Sequence, residues 1–468
     1  MAKILMVQVQ PAPYAGTAYL NGAALSAGHQ FVLRLGSDVA GILASISSER
    51  PDILGFSCMT GLHTEILAIA REVKKRSSIP IILGGPHPTL FPEVINEPCI
   101  DMICRGEGEF ALIDLLDAIG NGTPYKDIPN LWVKHEGEVV KNGLRPFVEP
   151  LDNVPLIDWS CYKDTVVQKS PPIAFLIRGC PYGCSYCFNE SVRGMYKGLG
   201  KYVRWFSVER SILEIGQALK IFSPSPVLFT SDTFGIDTVW MDELFRRYTE
   251  TTDLPFVLLL RPELVKDEVI RIIKKYKCHS VAIGVESGSE RVRKEVMNRN
   301  YSNRLLLDIA AKLHAAGIRF RTYNMIGLPT ETEEELWETI DLNIKMGTDY
   351  PRAAIFTPFP GTKMTDIAME KGYIDPDFSF DDVPATILSH TVLKNVDGDR
   401  LKNTLYFFQT AVVFPGLKNT IKKLVYAVKP NIIFKAWFYF MYAYLHRKSE
   451  GRNPIQYVQY VMANMRNR

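Results

Sequence analysis

Three cysteines lie within eight positions of the chain, at Cys180, Cys184 and Cys187, in the stretch RGCPYGCSYCFNE. Thiolates at such short spacing are typical ligands of zinc or of an iron–sulfur cluster. Either kind of site normally takes four protein ligands, and this stretch supplies three. The spacing therefore predicts a metal centre whose fourth position is filled by a distant residue or is kept open for another molecule.

The composition favours a reduced metal site over a disulfide framework. The chain has 468 residues, of which 47% are hydrophobic and 22% charged, which is typical of a globular protein of two or three domains. The first apolar run is too short for a signal peptide, and no stretch approaches the roughly 20 apolar residues that span a bilayer. These features predict a cytoplasmic protein, in which most of the eight cysteines stay reduced.

Residues 1–125 alternate short apolar runs with helical patterns. The runs lie at 3–8, 31–35, 52–58, 80–85 and 101–106, with a helical pattern at 63–76 among those between them. This alternation predicts a doubly wound parallel sheet of the flavodoxin-like kind, which binds ligands beyond the carboxyl ends of its strands. Ser57, Gly84 and Gly85 lie at two such ends, where glycines allow close approach to a ligand or serve as ordinary turn residues.

Residues 170–365 contain six strand candidates, at 173–178, 226–230, 256–260, 279–285, 319–326 and 353–358, with helical segments between them. This pattern predicts a partial (β/α)6 barrel of the TIM type, in which chemistry takes place on the loops after the strands. The segment 126–169 between the two regions predicts a linker with a small hairpin that turns at Glu136-Gly137.

Polar residues follow all six strand candidates of the predicted barrel. Cys180 follows the first, and the others end at Ser231 and Asp232, at Arg261, at Glu286 and Ser287, at Gly327 and at Thr357. Each of these residues alone has an ordinary explanation as a helix cap or turn former. Their coincidence on one rim predicts a functional site there.

The cysteine spacing, with Tyr186 directly before the last cysteine, resembles the radical S-adenosylmethionine (SAM) superfamily. The resemblance continues through GVESGSERVRKEVMNRNYS (284–302), MIGLPTETEEEL (325–336) and TPFPGT (357–362). It implies that Cys180, Cys184 and Cys187 bind three irons of a [4Fe–4S] cluster, and that SAM chelates the fourth. An external one-electron donor of the flavodoxin or ferredoxin type would then drive cleavage of SAM to a 5′-deoxyadenosyl radical. A zinc site completed by a distant ligand is the alternative.

The same resemblance implies a set of SAM-binding residues. Glu286 and Ser287 would hold the ribose, Tyr186 would lie against the adenine, and the backbone near Gly327 and Thr357 would line the pocket. Arg261 would contact the SAM carboxylate, although a solvated arginine is the alternative there.

The loops of the first region resemble the cobalamin-binding domain that precedes certain radical SAM enzymes. The resemblance implies that Ser57, Gly84 and Gly85 contact cobalamin. The loop PAPYAGTAY (11–19) lacks the histidine that ligates cobalt in methionine-synthase-type domains. We therefore expect cobalamin without a histidine lower ligand. Ligation by His63 or His87, or loss of the cofactor, are the alternatives.

Residues 366–468 predict a mostly helical region that is both basic and aromatic. From position 401 onward, eleven Lys and Arg face a single acidic residue, Glu450. The segments at 404–414 and 431–448 are apolar and aromatic but too short to span a membrane. They predict helices packed on the barrel, or a peripheral contact with the inner face of a membrane. Nucleic-acid binding, which also combines basic and aromatic residues, is disfavoured.

These features together predict an oxygen-sensitive, cobalamin-dependent radical SAM methyltransferase that methylates an unactivated carbon of a small or lipid-like substrate. A radical cyclase or rearrangement enzyme, with cobalamin bound or vestigial, is the first alternative. A non-catalytic cobalamin or redox sensor is the second. A tRNA methylthiotransferase is disfavoured because the first region lacks a second trio of cysteines.

Overall fold

The computed structural model describes residues 1–383, 388 and 390–449. The strands are β1 Lys3–Gln8, β2 Gln30–Leu35, β3 Ile53–Ser57, β4 Ile81–Gly84, β5 Met102–Cys104, β6 Leu131–His135, β7 Glu138–Lys141, β8 Ile173–Ala174, β9 Ile177–Arg178, β10 Arg204–Trp205, β11 Val227–Phe229, β12 Phe256–Leu260, β13 Ser280–Glu286, β14 Arg319–Ile326 and β15 Tyr350–Ile355.

The α-helices are α1 Ala15–Ser26, α2 Val39–Glu49, α3 His63–Lys74, α4 Pro86–Leu90, α5 Glu109–Asn121, α6 Asn189–Met195, α7 Val208–Ile221, α8 Thr238–Thr251, α9 Asp267–Lys275, α10 Asn303–Ala315, α11 Glu333–Lys345, α12 Lys363–Glu370, α13 Gly398–Val413, α14 Lys418–Ala427 and α15 Ile432–Ser449. Short 3₁₀ turns lie at Pro92–Asn96, Leu151–Asn153, Trp159–Tyr162, Val166–Lys169, Pro262–Leu264, Phe380–Asp382 and Pro415–Leu417, and a π turn lies at Val292–Val296. The described chain forms two compact units, residues 1–176 with 192–224 and residues 177–191 with 225–449.

The first unit contains a seven-stranded sheet in the order β2-β1-β3-β4-β5-β6-β7. Its strands β1 to β5 are parallel, as the alternating pattern predicts, and side chains of β1 enter apolar cores on both faces. The hairpin at Glu136-Gly137 also forms, and β6 pairs antiparallel with β5, so the hairpin extends this sheet. Both turn residues have positive φ, as a two-residue hairpin turn requires.

The second unit is built on the parallel strands β11 to β15, which lie in sequential order with helices between them. The first strand candidate, 173–178, forms the two short strands β8 and β9. The last candidate, 353–358, is observed as β15 at Tyr350–Ile355, so the strand begins and ends three residues earlier than predicted. Pro358, which has no amide hydrogen to donate to a strand ladder, lies beyond its end. Pro351 is tolerated inside β15 because β15 is an edge strand.

The described part of the C-terminal region is mostly helical, as predicted, and its two aromatic segments have different environments. Helix α13 is buried along most of its length and shares a core with β15 and α11. Helix α15 buries one face and exposes the other. None of the described helices combines the length and the apolar character needed to cross a membrane. The α/β fold class with a helical C-terminal region is confirmed, and the residue bounds of the four predicted regions stay predictions.

Candidate active site

The three cysteines lie on the loop between β9 and α6. Cys180 and Cys184 are buried, and Cys187 is half-buried. Directly before them, the Gly179 amide donates a hydrogen bond to the Asp232 carboxylate at 2.7 Å. Asp232 follows β11, so the cysteine loop begins at the carboxyl end of a neighbouring strand, on the rim that the sequence indicates.

The segment after the π turn holds the middle of the cysteine loop. The Ser185 amide donates to the Met297 carbonyl at 3.1 Å, and the Ser185 hydroxyl donates to the Val296 carbonyl. The Asn298 side chain donates to the Gly183 carbonyl at 2.6 Å. Contacts at two positions of the loop therefore fix the cysteine backbone before any ligand binds.

Two side chains donate hydrogen bonds to the thiols. Arg261 Nη1 lies 3.1 Å from Cys184 Sγ, and Asn189 Nδ2 lies 3.6 Å from Cys187 Sγ. Burial raises the pKa of the Cys187 thiol, and hydrogen bonds from Asn189 oppose that effect. Donors aimed at sulfur stabilise a thiolate, which is the form that binds iron. The surroundings of these cysteines therefore fit a metal-bound state.

The thiols of the cysteine loop do not surround a single ion position. In the described part of the chain, no three His, Cys, Asp or Glu side chains surround one ion position. A structural zinc ion needs four ligands around a single point. The thiolates of a [4Fe–4S] cluster bind separate irons, so they converge on a cluster and not on one ion.

Arg261 is held by more than its contact with the thiol. Its Nη2 lies 2.8 Å from Glu263 Oε1, and its guanidinium lies 3.7 Å from the centroid of the Tyr182 ring. The stack and the ion pair orient the guanidinium toward the cysteine loop, because a planar cation on an aromatic face loses rotational freedom. Arg261 is thus a fixed part of the thiol environment, and its contact with a SAM carboxylate stays a prediction.

Glu286 ends β13 in an unusual backbone conformation. The strand pairing is irregular between Gly284 and Glu286, and Glu286 has φ 67°, a left-handed value that is rare for a residue with a side chain. Tyr186 donates to Glu286 Oε1 at 3.0 Å, and Arg299 Nη1 donates to the same oxygen at 2.6 Å. The bulge therefore joins the carboxylate to the cysteine loop through Tyr186.

Residues of the protein cover one side of the Glu286 carboxylate. Arg299 is buried, and its guanidinium lies 5.1 Å from the centroid of the Tyr301 ring. Burial, and then the charge of Glu286, hold the pKa of Tyr186 well above its usual value, so Tyr186 keeps the proton that it donates. Among the described residues, the hydrogen bonds to Glu286 end on Oε1, which leaves Oε2 able to accept from a ligand.

Ser287 has a different environment from its neighbour Glu286. It is fully buried, and its Oγ accepts from the Ser289 amide at 3.3 Å. Its carbonyl accepts from Arg293. The structure therefore places Ser287 in the turn that follows β13, and its contact with a ribose stays a prediction.

The ends of β14 and β15 carry the remaining predicted SAM residues. The Gly327 amide donates to Glu331 Oε2 at 2.7 Å, and Gly327 has φ 73°. A Cβ at Gly327 would lie 2.6 Å from Leu401 of α13, and the positive φ would strain any other residue, so this turn favours glycine. Thr357 is buried, and its Oγ1 has no hydrogen-bond partner among the described residues. Such a hydroxyl is costly unless a ligand pairs with it, which fits a binding site.

In the first unit, the predicted cobalamin residues lie at the ends of β3 and β4. The Cys58 amide donates to the Gly84 carbonyl at 2.8 Å, which ties the two strand ends together. Gly85 has φ 101°, and a Cβ there would lie 2.9 Å from the Cys58 carbonyl oxygen. Space is open where a Cβ of Gly84 would point. The loops beside Ser57 thus allow the close backbone approach that a large ligand needs.

Two histidines form a stacked pair beside these loops. The rings of His63 and His87 lie 4.2 Å apart between centroids, and both residues are buried. The Gly61 amide donates to His63 Nδ1 at 3.2 Å, and Thr60 Oγ1 lies 3.0 Å from His87 Nδ1. Burial, and then the proximity of His63, lower the pKa of His87 to about 3. The two rings are therefore packed against each other inside the protein, which favours a structural role over cobalt ligation.

Sequence reasoning missed several residues of the site. Arg299, Tyr301, Glu263 and Asn189 all contact predicted site residues or each other. Arg299 and Tyr301 lie in a segment that the family resemblance includes, but no periodicity in the sequence links them to Glu286. Their positions depend on the bulge in β13 and on the π turn, neither of which the sequence indicates.

Family models match two separate regions of the chain. The model described as the radical SAM superfamily matches residues 175–342, and the model of the B12 binding domain matches residues 6–116. The chain is a radical SAM enzyme with a B12-binding domain. Its cofactors are a [4Fe–4S] cluster, SAM and cobalamin. The cysteine loop, the Glu286 carboxylate and the unpaired Thr357 hydroxyl lie within or just beyond the radical SAM match, and the two glycines lie within the B12 match.

Curated relatives of this radical SAM enzyme include methyltransferases and a cyclase. An uncharacterized methyltransferase of Pyrococcus horikoshii is 29% identical over 340 residues, which cover 71% of this chain and 72% of the relative. An anaerobic magnesium-protoporphyrin IX monomethyl ester cyclase of Rubrivivax gelatinosus is 26% identical over 386 residues, which cover 77% of this chain and 66% of the relative.

Solved structures of two related enzymes share the fold. The cobalamin-dependent SAM radical enzyme OxsB, with aqua-cobalamin and SAM bound, superposes with a TM-score of 0.69 at 17% identity. That match covers 96% of this chain and 72% of the OxsB chain. The radical SAM methyltransferase TsrM from Kitasatospora setae superposes with a TM-score of 0.64 at 16% identity, covering 79% of this chain and 76% of TsrM. At these identities the likeness supports the fold alone.

Proposed function

We propose that this radical SAM enzyme is a cobalamin-dependent methyltransferase that acts on an unactivated carbon of a small or lipid-like substrate. The observation that carries the proposal is the cysteine loop, which lies on the same strand-end rim as the Glu286 carboxylate and is joined to it by Tyr186. The match of the same chain to the B12 binding domain supports the dependence on cobalamin. Methyltransferases among the relatives support the reaction class.

Cys180, Cys184 and Cys187 would hold the cluster. Arg261 and Asn189 donate to two of these sulfurs and would stabilise the bound thiolates. The burial of Cys180 and Cys184 would keep water away from the cluster. An external one-electron donor, of the flavodoxin or ferredoxin type, would reduce it.

Glu286 would hold the ribose of SAM. Its Oε1 is occupied by Tyr186 and Arg299, and its Oε2 would accept from the ribose hydroxyls. The buried Arg299 would pair with the carboxylate and fix its direction. Thr357 Oγ1 would pair with the bound nucleoside, which would satisfy a hydroxyl that is otherwise buried without a partner. Ser287 and the Gly327 turn would shape the pocket wall.

The loops at Ser57, Gly84 and Gly85 would receive cobalamin without a histidine below the cobalt. The loop after β1 carries no histidine, and His63 and His87 are buried against each other. The open space at Gly84 and the turn at Gly85, whose positive φ suits glycine, favour a large ligand lying close to the backbone. When all cofactors are bound, the cluster and SAM supply carbon-radical chemistry and cobalamin supplies a transferable methyl group.

A radical cyclase is the second candidate, because one relative carries that name. The products separate the candidates when the reconstituted enzyme is incubated without oxygen with a reductant, methyl-labelled SAM and a small-molecule extract. A methyltransferase forms S-adenosylhomocysteine, 5′-deoxyadenosine and a labelled product. A cyclase forms 5′-deoxyadenosine without the other two, and a sensor forms none of the three. Glu286→Gln is the negative control, with Glu295→Gln, an exposed acid, as its match.

A further inference from the structure

Helix α15 has two apolar faces, and among the described residues only one of them packs on the protein. Phe438, Met441 and Leu445 are buried on the packed face, which contacts the core that includes α13 and β15. The opposite face carries Ile432 and Ile433, each 75% exposed, and Phe440, which is 58% exposed. A surface helix normally turns charged or polar residues toward water, so this second face needs an explanation.

The exposed face is a continuous stripe. Ile433, Trp437, Phe440 and Tyr444 are spaced by four, three and four residues, which places them on one side of the helix. Ring centroids of Trp437 and Phe440 lie 5.5 Å apart, and those of Phe440 and Tyr444 lie 6.4 Å apart. We call these four residues and Ile432 the α15 stripe. It extends for about 18 Å along the helix axis.

The stripe is held in a defined orientation. Trp437 Nε1 donates to Thr410 Oγ1 of α13 at 2.8 Å, which fixes the indole while leaving much of its ring exposed. Asn431 caps the first turn of α15 by accepting from the Ile433 and Phe434 amides, both at 3.1 Å. The exposed aromatic residues therefore project from a helix that is anchored to the protein core.

Basic residues dominate the sequence around the stripe, and Glu450 is the single acidic residue from position 401 onward. Residues 401–449 contain eight Lys and Arg and no Asp or Glu. Lys429 and Lys435 are exposed near the start of α15, and Lys448 is exposed at its end. Trp and Tyr are the side chains that favour a membrane–water interface, and each nearby Lys or Arg attracts anionic lipid headgroups.

We propose that the α15 stripe docks on an anionic lipid surface, with α15 lying in the plane of the headgroups. This goes beyond the proposed methyltransferase function and does not depend on it. The excess of basic residues distinguishes a lipid surface from a second copy of the chain, because two such faces would bring like charges together. Exposed isoleucines favour acyl chains over nucleic acid, whose bases need aromatic or planar partners.

The test uses the full-length holoprotein and vesicles at low salt. Sedimentation with vesicles of phosphatidylglycerol and phosphatidylcholine should pellet the protein, and vesicles of phosphatidylcholine alone should bind it at least about tenfold less. Ile433→Glu together with Phe440→Glu should lower binding to the anionic vesicles by at least about tenfold. The matched control, Leu213→Glu with Val239→Glu, changes two side chains that are 57% and 79% exposed elsewhere. Both double variants add the same negative charge. A difference in vesicle binding between them therefore shows that the position of the substitutions on the stripe matters, and not the added charge alone.

Surface variants are preferable to deletion of residues 401–468, because α13 is part of the core. Brominated lipid offers a second measurement that does not depend on the double variant. It should quench tryptophan emission of the unchanged chain more than that of Trp437→Phe. The proposal is overturned by equal loss of binding in the control pair, by absence of binding to anionic vesicles, or by equal quenching in both proteins. A smaller particle size for the test pair alone would assign the stripe to a protein partner and would also overturn the proposal. Displacement of vesicles by single-stranded DNA would assign it to a nucleic-acid partner, with the same consequence.

Discussion

At the scale of single residues, the contact between Arg261 and Cys184 has the clearest chemical consequence. A cation that donates a hydrogen bond to a ligating sulfur stabilises the more electron-rich, reduced cluster. Arg261 reaches Cys184 Sγ at 3.1 Å and is held there by Glu263 and Tyr182. It would therefore act as a positioning and tuning residue of the cluster, beside any contact with SAM.

We predict that Arg261→Gln lowers the midpoint potential of the cluster. The midpoint potential should fall by about 50 mV, which is close to the value of about 59 mV that corresponds to a tenfold change in a one-electron equilibrium. Anaerobic redox titration followed by electron paramagnetic resonance (EPR) measures it. Arg271→Gln is the control, because Arg271 is an exposed arginine whose only recorded partner in the described chain is Glu268. An unchanged potential in Arg261→Gln would show that the guanidinium does not act on the cluster.

Glu331 gives a second prediction at this scale, through pH. Although the residue as a whole is half-buried, its Oε1 is buried without a hydrogen-bond partner among the described residues. Burial raises its pKa from 4.5 to about 8. The folded protein therefore binds this proton more tightly than the unfolded chain, and the resulting stability, present in full below about pH 4.5, is lost as pH rises toward 8.

We predict that Glu331→Gln removes this loss because the amide stays neutral at every pH. The variant should melt at a higher temperature than the unchanged protein at pH 8, and the difference should shrink toward pH 5. Glu334→Gln, a change at an exposed neighbour, should show no such trend. A difference in melting temperature between the unchanged protein and Glu331→Gln that stays constant from about pH 5 to about pH 8 would contradict the assignment.

At the scale of elements, irregular segments position the site more than regular ones do. The bulge in β13 turns Glu286 into a left-handed conformation, where it meets Tyr186 of the cysteine loop. The segment after the π turn supplies Met297 and Asn298, which hold the same loop. Strained backbone of this kind persists only where surrounding contacts support it, and it is concentrated at functional sites.

The loops after β3 and β4 lead to a prediction about cobalt. The stacked pair of His63 and His87 is buried beside these loops, and burial lowers the pKa of His87. Since neither ring is presented at the surface, we predict that no histidine of the chain binds the cobalt of bound cobalamin. Labelling the protein with ¹⁵N-histidine should leave the EPR spectrum of bound cob(II)alamin unchanged. A change in nitrogen splitting on labelling would reveal a histidine ligand.

At the scale of the whole molecule, much of the fold was predictable from the sequence. Buried parallel strands appear in the sequence as runs of apolar residues. For this reason β1, β3 and β4 lie within or close to their predicted bounds. The polar residues at the strand ends were predictable for the same reason, because the end of each apolar run shows where the rim of the sheet lies. The hairpin turn at Glu136-Gly137 was also readable, whereas its pairing with β5 was not, because pairing depends on tertiary contacts.

The details of the site were less predictable than its location. Cys180, Cys184 and Cys187 are close in sequence, so a local pattern reveals them. Arg299 meets Glu286 only because of a bulge and a π turn, which depend on packing and leave no periodic signal. The C-terminal aromatic segments look alike in sequence, yet α13 is in the core and the α15 stripe is exposed. Composition gives no information on which face of a helix is covered.

The central claim is that three cysteines hold a [4Fe–4S] cluster with one iron open to SAM, and anaerobic reconstitution tests it most directly. The unchanged protein should take up about four irons per chain, and SAM should alter the EPR spectrum of the reduced cluster. Cys161→Ala, a change at a half-buried cysteine outside the loop, should behave in the same way. The combined variant Cys180→Ala, Cys184→Ala and Cys187→Ala should take up no cluster. A cluster that forms in this variant, or one whose spectrum does not respond to SAM in the unchanged protein, would contradict the claim.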